Sequence, residues 1–271
     1  MWALSMLNVD RKLLLITADD FGMCHSINTG ILRAMTDGVA TSTTLMAPCP
    51  WIGEAVRFAK KHKLPCGVHF TLTCEWDRLR WRPLTGGQSL REKHGFFPQT
   101  IDEVAAAVTD DDAIAELTEQ IRVLRAMGIQ PTHADIHMLS SDDRRPSALR
   151  LMGIMRHVAT VEGLPMPRER DASARYLYLD YKAMLTGKST DEIWALLEGW
   201  NEAGIYHLFC HPAEPSAELD NLCTPTGDSG TPWANTFRIA DLAFLTDPAT
   251  RQRLADLGFE LVGVREVLGL R

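Results

Sequence analysis

Apolar and polar positions along this chain fall into two rhythms. Leu13-Leu14-Leu15-Ile16 runs on through Thr17 and Ala18 and stops at two adjacent carboxylates, Asp19 and Asp20, before Phe21 and Gly22. An unbroken apolar run of this length predicts a strand buried on both faces, as in a parallel sheet. The period then changes to helical over residues 26–36, with Ile27, Ile31, Leu32 and Met35 on one face, Ser26 as N-cap and Gly38 as stop. Residues 39–46 read as extended because they are β-branched, and Pro50 opens a helix reaching His62. Residues 66–73 predict another strand, and 112–127 an amphipathic helix that Gly128 ends. In residues 131–137 a period of two puts His133, Asp135 and His137 on one face. Helices follow at 146–162 and 189–201, the second opened by the capping-box sequence Ser189-Thr190-Asp191-Glu192. A strand at 206–212 ends in His211-Pro212, and helices at 239–245 and 248–257 lead to a last strand at 259–264.

Strand and helix thus alternate seven or eight times, which implies a parallel sheet. At 271 residues this predicts an α/β fold, a single-domain distorted (β/α) barrel resembling a TIM barrel, with one domain over residues 1–271. Two segments, 74–99 and 213–233, are rich in Pro, Gly or Asp and lack periodicity. They are expected to overhang the C-terminal rim, where such folds place their sites.

Composition narrows the partners. A net charge of −7 argues against nucleic acid and anionic membranes, so a small molecule is the expected partner, with a homodimer left open. No stretch reaches the roughly 18 apolar residues needed to span a bilayer. The first residues carry no basic n-region, so a cytoplasmic location is expected. Six cysteines are scattered without a C-x-x-C pair and read as reduced thiols.

Taken alone, Asp19-Asp20-Phe21-Gly22 is good turn chemistry, and each histidine alone reads as a satisfied core or loop residue. Asp19, Asp20, His69, His137 and His211 all fall at or near the ends of strands that are otherwise apolar, however. Imidazole nitrogen with carboxylate oxygen is the donor set of a catalytic divalent ion, and the coincidence points to a metal site. His25, His62, His94 and His157 lie in helical or loop surroundings and read as surface residues, while His207 is open to either role. The acidic run 110–112 is explained by the helix it precedes. Trp76, Trp81 and Trp233, in the long segments, could cover a core edge or stack on a sugar ring.

Four stretches, in order, carry a resemblance: Thr17-Ala18-Asp19-Asp20-Phe21-Gly22, Gly67-Val68-His69-Phe70-Thr71-Leu72-Thr73, Pro131-Thr132-His133-Ala134-Asp135-Ile136-His137-Met138 and Cys210-His211-Pro212. Phe244-Leu245-Thr246-Asp247-Pro248 adds a fifth. Together they resemble the YdjC-like family of carbohydrate deacetylases. The resemblance implies a deformed (β/α) barrel holding one divalent metal on Asp20, His69 and His137. It implies Asp19 as general base, His211 as proton donor to the leaving amine, and His133 and Asp135 as groups that orient the ligands. It also implies hydrolysis of an N-acetyl group from an amino sugar or short oligosaccharide, with release of acetate. Where many relatives continue with further histidines, this chain reads Met138-Leu139-Ser140-Ser141. Zinc suits the donors best and magnesium comes second. Two alternatives stay open: a metal-dependent hydrolase of a phosphoester or cyclic amide, and a non-catalytic sugar-binding relative.

Overall fold

The strand predicted from the first apolar run is the axis of the molecule. In the computed structural model, which describes residues 10–139, 143–166, 175–176, 190–224 and 233–267, this strand, β1, spans Lys12–Phe21 and is buried over nearly its whole length. Its neighbours are β2 (Ser42–Leu45), β3 (Cys66–Phe70), β4 (Ala134–Ile136), β5 (Arg175–Tyr176), β6 (Gly204–Cys210) and β7 (Phe259–Leu261). All pair in parallel in the order β4-β3-β2-β1-β6-β5. β6 runs along one edge of β1 from Lys12 to Ala18. The other edge is shared, with β7 beside Lys12–Leu14 and β2 beside Thr17–Phe21. This is an α/β sheet curled as part of a barrel, as expected, and its burial on both sides explains the unbroken apolar runs.

Helices between the strands bury one face each. Helix His25–Thr36 packs along β1, and helix Pro146–Val161 covers the helices Ile101–Ala107 and Asp110–Ala126. Thr109 caps the last of these by accepting the Asp112 N–H, so the acidic run lies inside the first turn and not ahead of it. Ser26 is not the N-cap of its helix. Cys24 holds that position without a side-chain cap, and the Ser26 hydroxyl instead meets Ser216 and Glu218. Ser189 of the expected capping box lies outside the described residues. The six cysteines are free thiols. Burial pushes those of Cys24, Cys66 and Cys74 up to about 12, leaving them inert small hydrophobes. Among the described residues no helix is long and apolar enough to cross a membrane.

One close contact sets where the end of β6 lies. Gly30, inside the helix His25–Thr36, faces the segment after His211, and a Cβ there would sit 2.4 Å from the Ala213 Cα. The same segment is held by Ala213 N–H donating to the Arg238 carbonyl and Glu214 N–H donating to that of Ser26. Backbone cannot yield as a flexible side chain can, so Gly30→Ala is expected to destabilise by about 1–3 kcal/mol. The loss should appear as a drop of several degrees in Tm, and an unchanged melt would show that the contact relaxes at no cost.

Candidate active site and metal centre

The sheet order brings together what the chain separates. Reading across β4, β3, β2, β1 and β6, the C-terminal ends deliver His137, His69, Thr44, Asp19 with Asp20, and His211 in turn. Asp19 and Asp20 pose a geometric problem, because successive residues of a regular strand point to opposite faces. A break in register solves it. Ala18 lies opposite Thr43 and Phe21 opposite Leu45, three steps on β1 against two on β2, and Asp20 sits in the left-handed region at φ 76°. Both carboxylates consequently meet the same ring. Asp19 Oδ1 is 3.9 Å from His69 Nδ1, and Asp20 Oδ1 is 3.4 Å from His69 Nε2.

Asp20, His69 and His137 are buried, and each offers one donor atom within 4.8 Å of the others. His137 presents Nδ1 at 3.3 Å from Asp20 Oδ1. That oxygen is fully buried and makes no hydrogen bond among the described residues. A buried carboxylate oxygen without a partner is costly unless a cation faces it. The other oxygen, Oδ2, accepts from Arg238 Nη2 at 2.6 Å. Burial alone would favour the neutral acid, but Arg238 first, then His137 and His69, hold the Asp20 carboxyl well below the usual carboxylate range. The residues therefore fit a divalent ion, to which Asp20 would offer one oxygen.

Hydrogen-bond valence fixes the ring of His69. The single Thr44 hydroxyl proton goes to Asp19 Oδ1 at 2.6 Å, so His69 Nδ1, 3.1 Å from Thr44 Oγ1, must donate to that hydroxyl oxygen. His69 Nε2 is left as the lone-pair nitrogen facing Asp20. On the far side of the cluster, His137 Nε2 lies 3.0 Å from Glu75 Oε2. Burial would lower the His137 imidazole, but the Glu75 and Asp20 carboxylates outweigh it and raise it to about 10. Without an ion, His137 thus stands as an imidazolium between two carboxylates. An ion held at Nδ1 would displace one of these protons.

Residues 13–256 match the family model described as YdjC-like protein. The chain belongs to that family. Across 93% of its length it is 31% identical to a carbohydrate deacetylase of Geobacillus stearothermophilus, covering 96% of that protein. It is also 31% identical to a chitooligosaccharide deacetylase of Yersinia enterocolitica, covering 97% of it. Among solved structures, a candidate cellobiose-phosphate cleavage protein from Enterococcus faecalis V583 superposes with a TM-score of 0.73 at 23% identity. The match spans 95% of this chain and 99% of that one. A peptidoglycan N-acetylglucosamine deacetylase superposes at 0.51 and 10% identity over 96% and 89%. Both structural matches speak to the fold.

In this YdjC-like chain the remaining predicted residues fall in different places. His211, just past β6, is partly buried, and its N–H donates to Asp241 Oδ2 at 2.7 Å. Desolvation pushes its imidazole down to about 4, so it is neutral at pH 7 and not the ready imidazolium that a proton donor suggests. Asp135 lies opposite His69 in register, and its Oδ1 accepts the Ile136 N–H. His133 lies flat against Gly67, where a Cβ would come within 2.6 Å of its ring, with Nδ1 on the Thr132 hydroxyl. His207 is a core residue, bonded to Thr17 Oγ1 at 2.8 Å. The sugar-stacking role falls for two tryptophans, because Trp76 and Trp81 are 0% and 3% exposed and offer no open ring face. Trp81 instead packs its ring 6.4 Å from that of His137. Trp233 opens the helix Trp233–Thr246 rather than lying in a loop, and its side chain is outside the described residues.

The residues that sequence reasoning missed are Glu75, Arg238 and Asp241. Arg238 and Asp241 left one signal, two charges three residues apart in a helix that is otherwise apolar between Phe237 and Leu245. Asp241 is buried, and desolvation raises its carboxyl from 3.8 to about 7 against the pull of the His211 N–H and Arg238. The folded chain therefore keeps a proton on Asp241 that the unfolded chain releases above pH 3.8. Its ionisation works against folding as pH climbs, by up to about 4 kcal/mol once both forms are charged. Asp241→Asn, which can still accept the His211 N–H, is expected to raise Tm at pH 8 much more than at pH 5. Parallel Tm-against-pH curves for the two proteins would refute the assignment.

Proposed function

We propose that this chain hydrolyses the N-acetyl group of an amino sugar or short N-acetylated oligosaccharide, with a divalent ion on Asp20, His69 and His137, releasing acetate. The observation that carries the reading is the convergence of two imidazole nitrogens, His69 Nε2 and His137 Nδ1, on the buried Asp20 Oδ1, which accepts no hydrogen bond among the described residues. The curated relatives that match nearly the whole chain supply the substrate class. Two imidazole nitrogens and one carboxylate oxygen suit zinc, with magnesium second. When bound, such an ion polarises the acetamido carbonyl and lowers the pKa of a water beside it.

The chain's own groups carry the protons. Asp19 is placed to take a proton from the attacking water, its Oδ1 held by the Thr44 hydroxyl next to Asp20. The leaving nitrogen needs one proton to depart as an amine. His211, neutral at rest, passes on a proton gained during turnover and is not a standing acid. His133 and Asp135 support β3 and the His69 backbone from the adjoining strand. Arg238 steadies Asp20 and offsets part of the negative charge of the paired carboxylates.

Metal analysis combined with an acetate-release screen over N-acetylated mono- and oligosaccharides tests the reading. About one divalent ion per chain is expected, with acetate released from at least one sugar and the activity lost on chelation and restored by zinc. Asp19→Asn should keep the ion and lose about 10²–10⁴-fold in kcat. Bound metal with no acetate from any sugar would move the activity to another bond, and near-normal turnover by Asp19→Asn would remove Asp19 as the base.

A further inference from the structure

The segment after β3 shows no periodicity in sequence, yet the structure anchors it at successive points. Gln120, on the helix Asp110–Ala126, grips the Thr71 backbone twice, accepting its N–H at 3.0 Å and donating to its carbonyl at 2.7 Å. Glu116, one turn earlier, accepts the Thr85 N–H at 2.9 Å. The Trp81 indole N–H donates to the Thr73 carbonyl at 3.0 Å, and the Cys74 N–H donates to that of Pro98 at 2.8 Å. Trp76 and Trp81 are buried and tie the segment into the main hydrophobic core. Glu75 is suspended between these anchors. It is the one carboxylate in the stretch 71–76, and it is buried.

The buried Glu75 carboxylate is aimed at a ligand's outer nitrogen. Its Oε2 meets His137 Nε2 at 3.0 Å, while His137 Nδ1 faces Asp20 Oδ1 at 3.3 Å. Glu75 is not one of the residues whose donor atoms lie within 4.8 Å of one another, so it stands behind His137 and not beside the ion. A neutral imidazole carries its proton on one nitrogen and its lone pair on the other, and an ionised carboxylate can only accept. A carboxylate on Nε2 therefore selects the ring form whose lone pair is on Nδ1. Resting on the metal-site reading above, we propose that Glu75 is a positioning residue of the metal centre. It holds His137 in the Nε2–H form with Nδ1 turned to the ion, and the anchored segment exists to bring it there. His69 is oriented by the neutral hydroxyl of Thr44, so the two histidines are set by different partners and through opposite ring nitrogens.

The test measures zinc affinity by competition with a chelating indicator in wild-type protein, Glu75→Ala and Glu75→Gln, with circular dichroism to check the fold. It adds long-range ¹⁵N–¹H correlation of the His137 ring in zinc-loaded wild type. Glu75→Ala is expected to bind zinc about 10–100-fold more weakly, and Glu75→Gln, whose amide oxygen still accepts Nε2–H, about 3–10-fold more weakly. KM for an accepted sugar should not change at saturating zinc. The wild-type spectrum should show Nε2 protonated and Nδ1 on the metal. Zinc affinity within twofold of wild type in a folded variant would overturn the proposal, as would Nδ1 protonated in the loaded protein. Should Glu75→Ala not fold, Glu75→Gln decides alone by the same limits. Failure of wild type to bind any divalent ion would instead strike the metal-site reading itself, so the two failures are distinguishable.

Discussion

Two adjacent residues of one strand have to face one cavity, and the rest of the site depends on how that constraint is met. In a regular strand Asp19 and Asp20 would diverge, one to each face of the sheet. The extra residue in β1 between Ala18 and Phe21, with Asp20 at φ 76°, turns both toward His69. Asp tolerates the left-handed region better than most residues with a side chain, because its short polar group can be satisfied locally. Adjacency then becomes useful, since under the proposed function a carboxylate that would take a proton is held next to one that would take an ion, by covalent geometry alone.

Burying two carboxylates together is unfavourable unless positive charge and donors surround them. Arg238 supplies the charge on Asp20 Oδ2, Thr44 supplies a donor on Asp19, and the two imidazoles close the remaining side. Each of these comes from a different element, so the site cannot form until the sheet and the helix Trp233–Thr246 are both in place. Asp241, one turn beyond Arg238, pins the backbone at His211. A single helix thereby steadies Asp20 through one residue and the end of β6 through another.

The strands and their order of chemistry were legible because a buried parallel strand writes an unbroken apolar run, and a polar residue at its end stands out. Asp20, His69 and His137, which the structure brings together, stand out by that contrast. Asp19 and His211 share it, but their roles rest on protons, which a sequence does not display, and the neutrality of His211 comes from a desolvation that only packing creates. Glu75, Arg238 and Asp241 were hidden for another reason. Each lies in a stretch whose neighbours give no period or a helical one, and each acts through a partner far away in sequence, 62 residues for Glu75 and His137 and 218 for Arg238 and Asp20. The tryptophans misled because a segment without periodicity was equated with an open loop. Trp76 and Trp81 are buried in that segment, where indoles substitute for the regular structure it lacks.

Among the described residues, three other than glycine have a positive φ: Asp20, Lys63 and Met138. Lys63 is the left-handed C-cap of the helix Ile52–His62, an ordinary helix ending. The other two are Asp20, in the candidate metal cluster, and the residue directly after His137 of the same cluster. Such backbone costs of order 1–3 kcal/mol per residue and persists only where surrounding contacts over-determine it. At Asp20 those contacts are Arg238 and the shared register of β1 and β2. At Met138 they are the His137 N–H on the Phe70 carbonyl at 3.0 Å and the Glu75 bond to the His137 ring. Strain is thus concentrated near the C-terminal ends of β1 and β4, beside the Asp20 and His137 donor atoms. A longer or softer loop could bring the same atoms together without strain, but it would leave more backbone to be ordered. Here the folding of the sheet has already met that ordering cost.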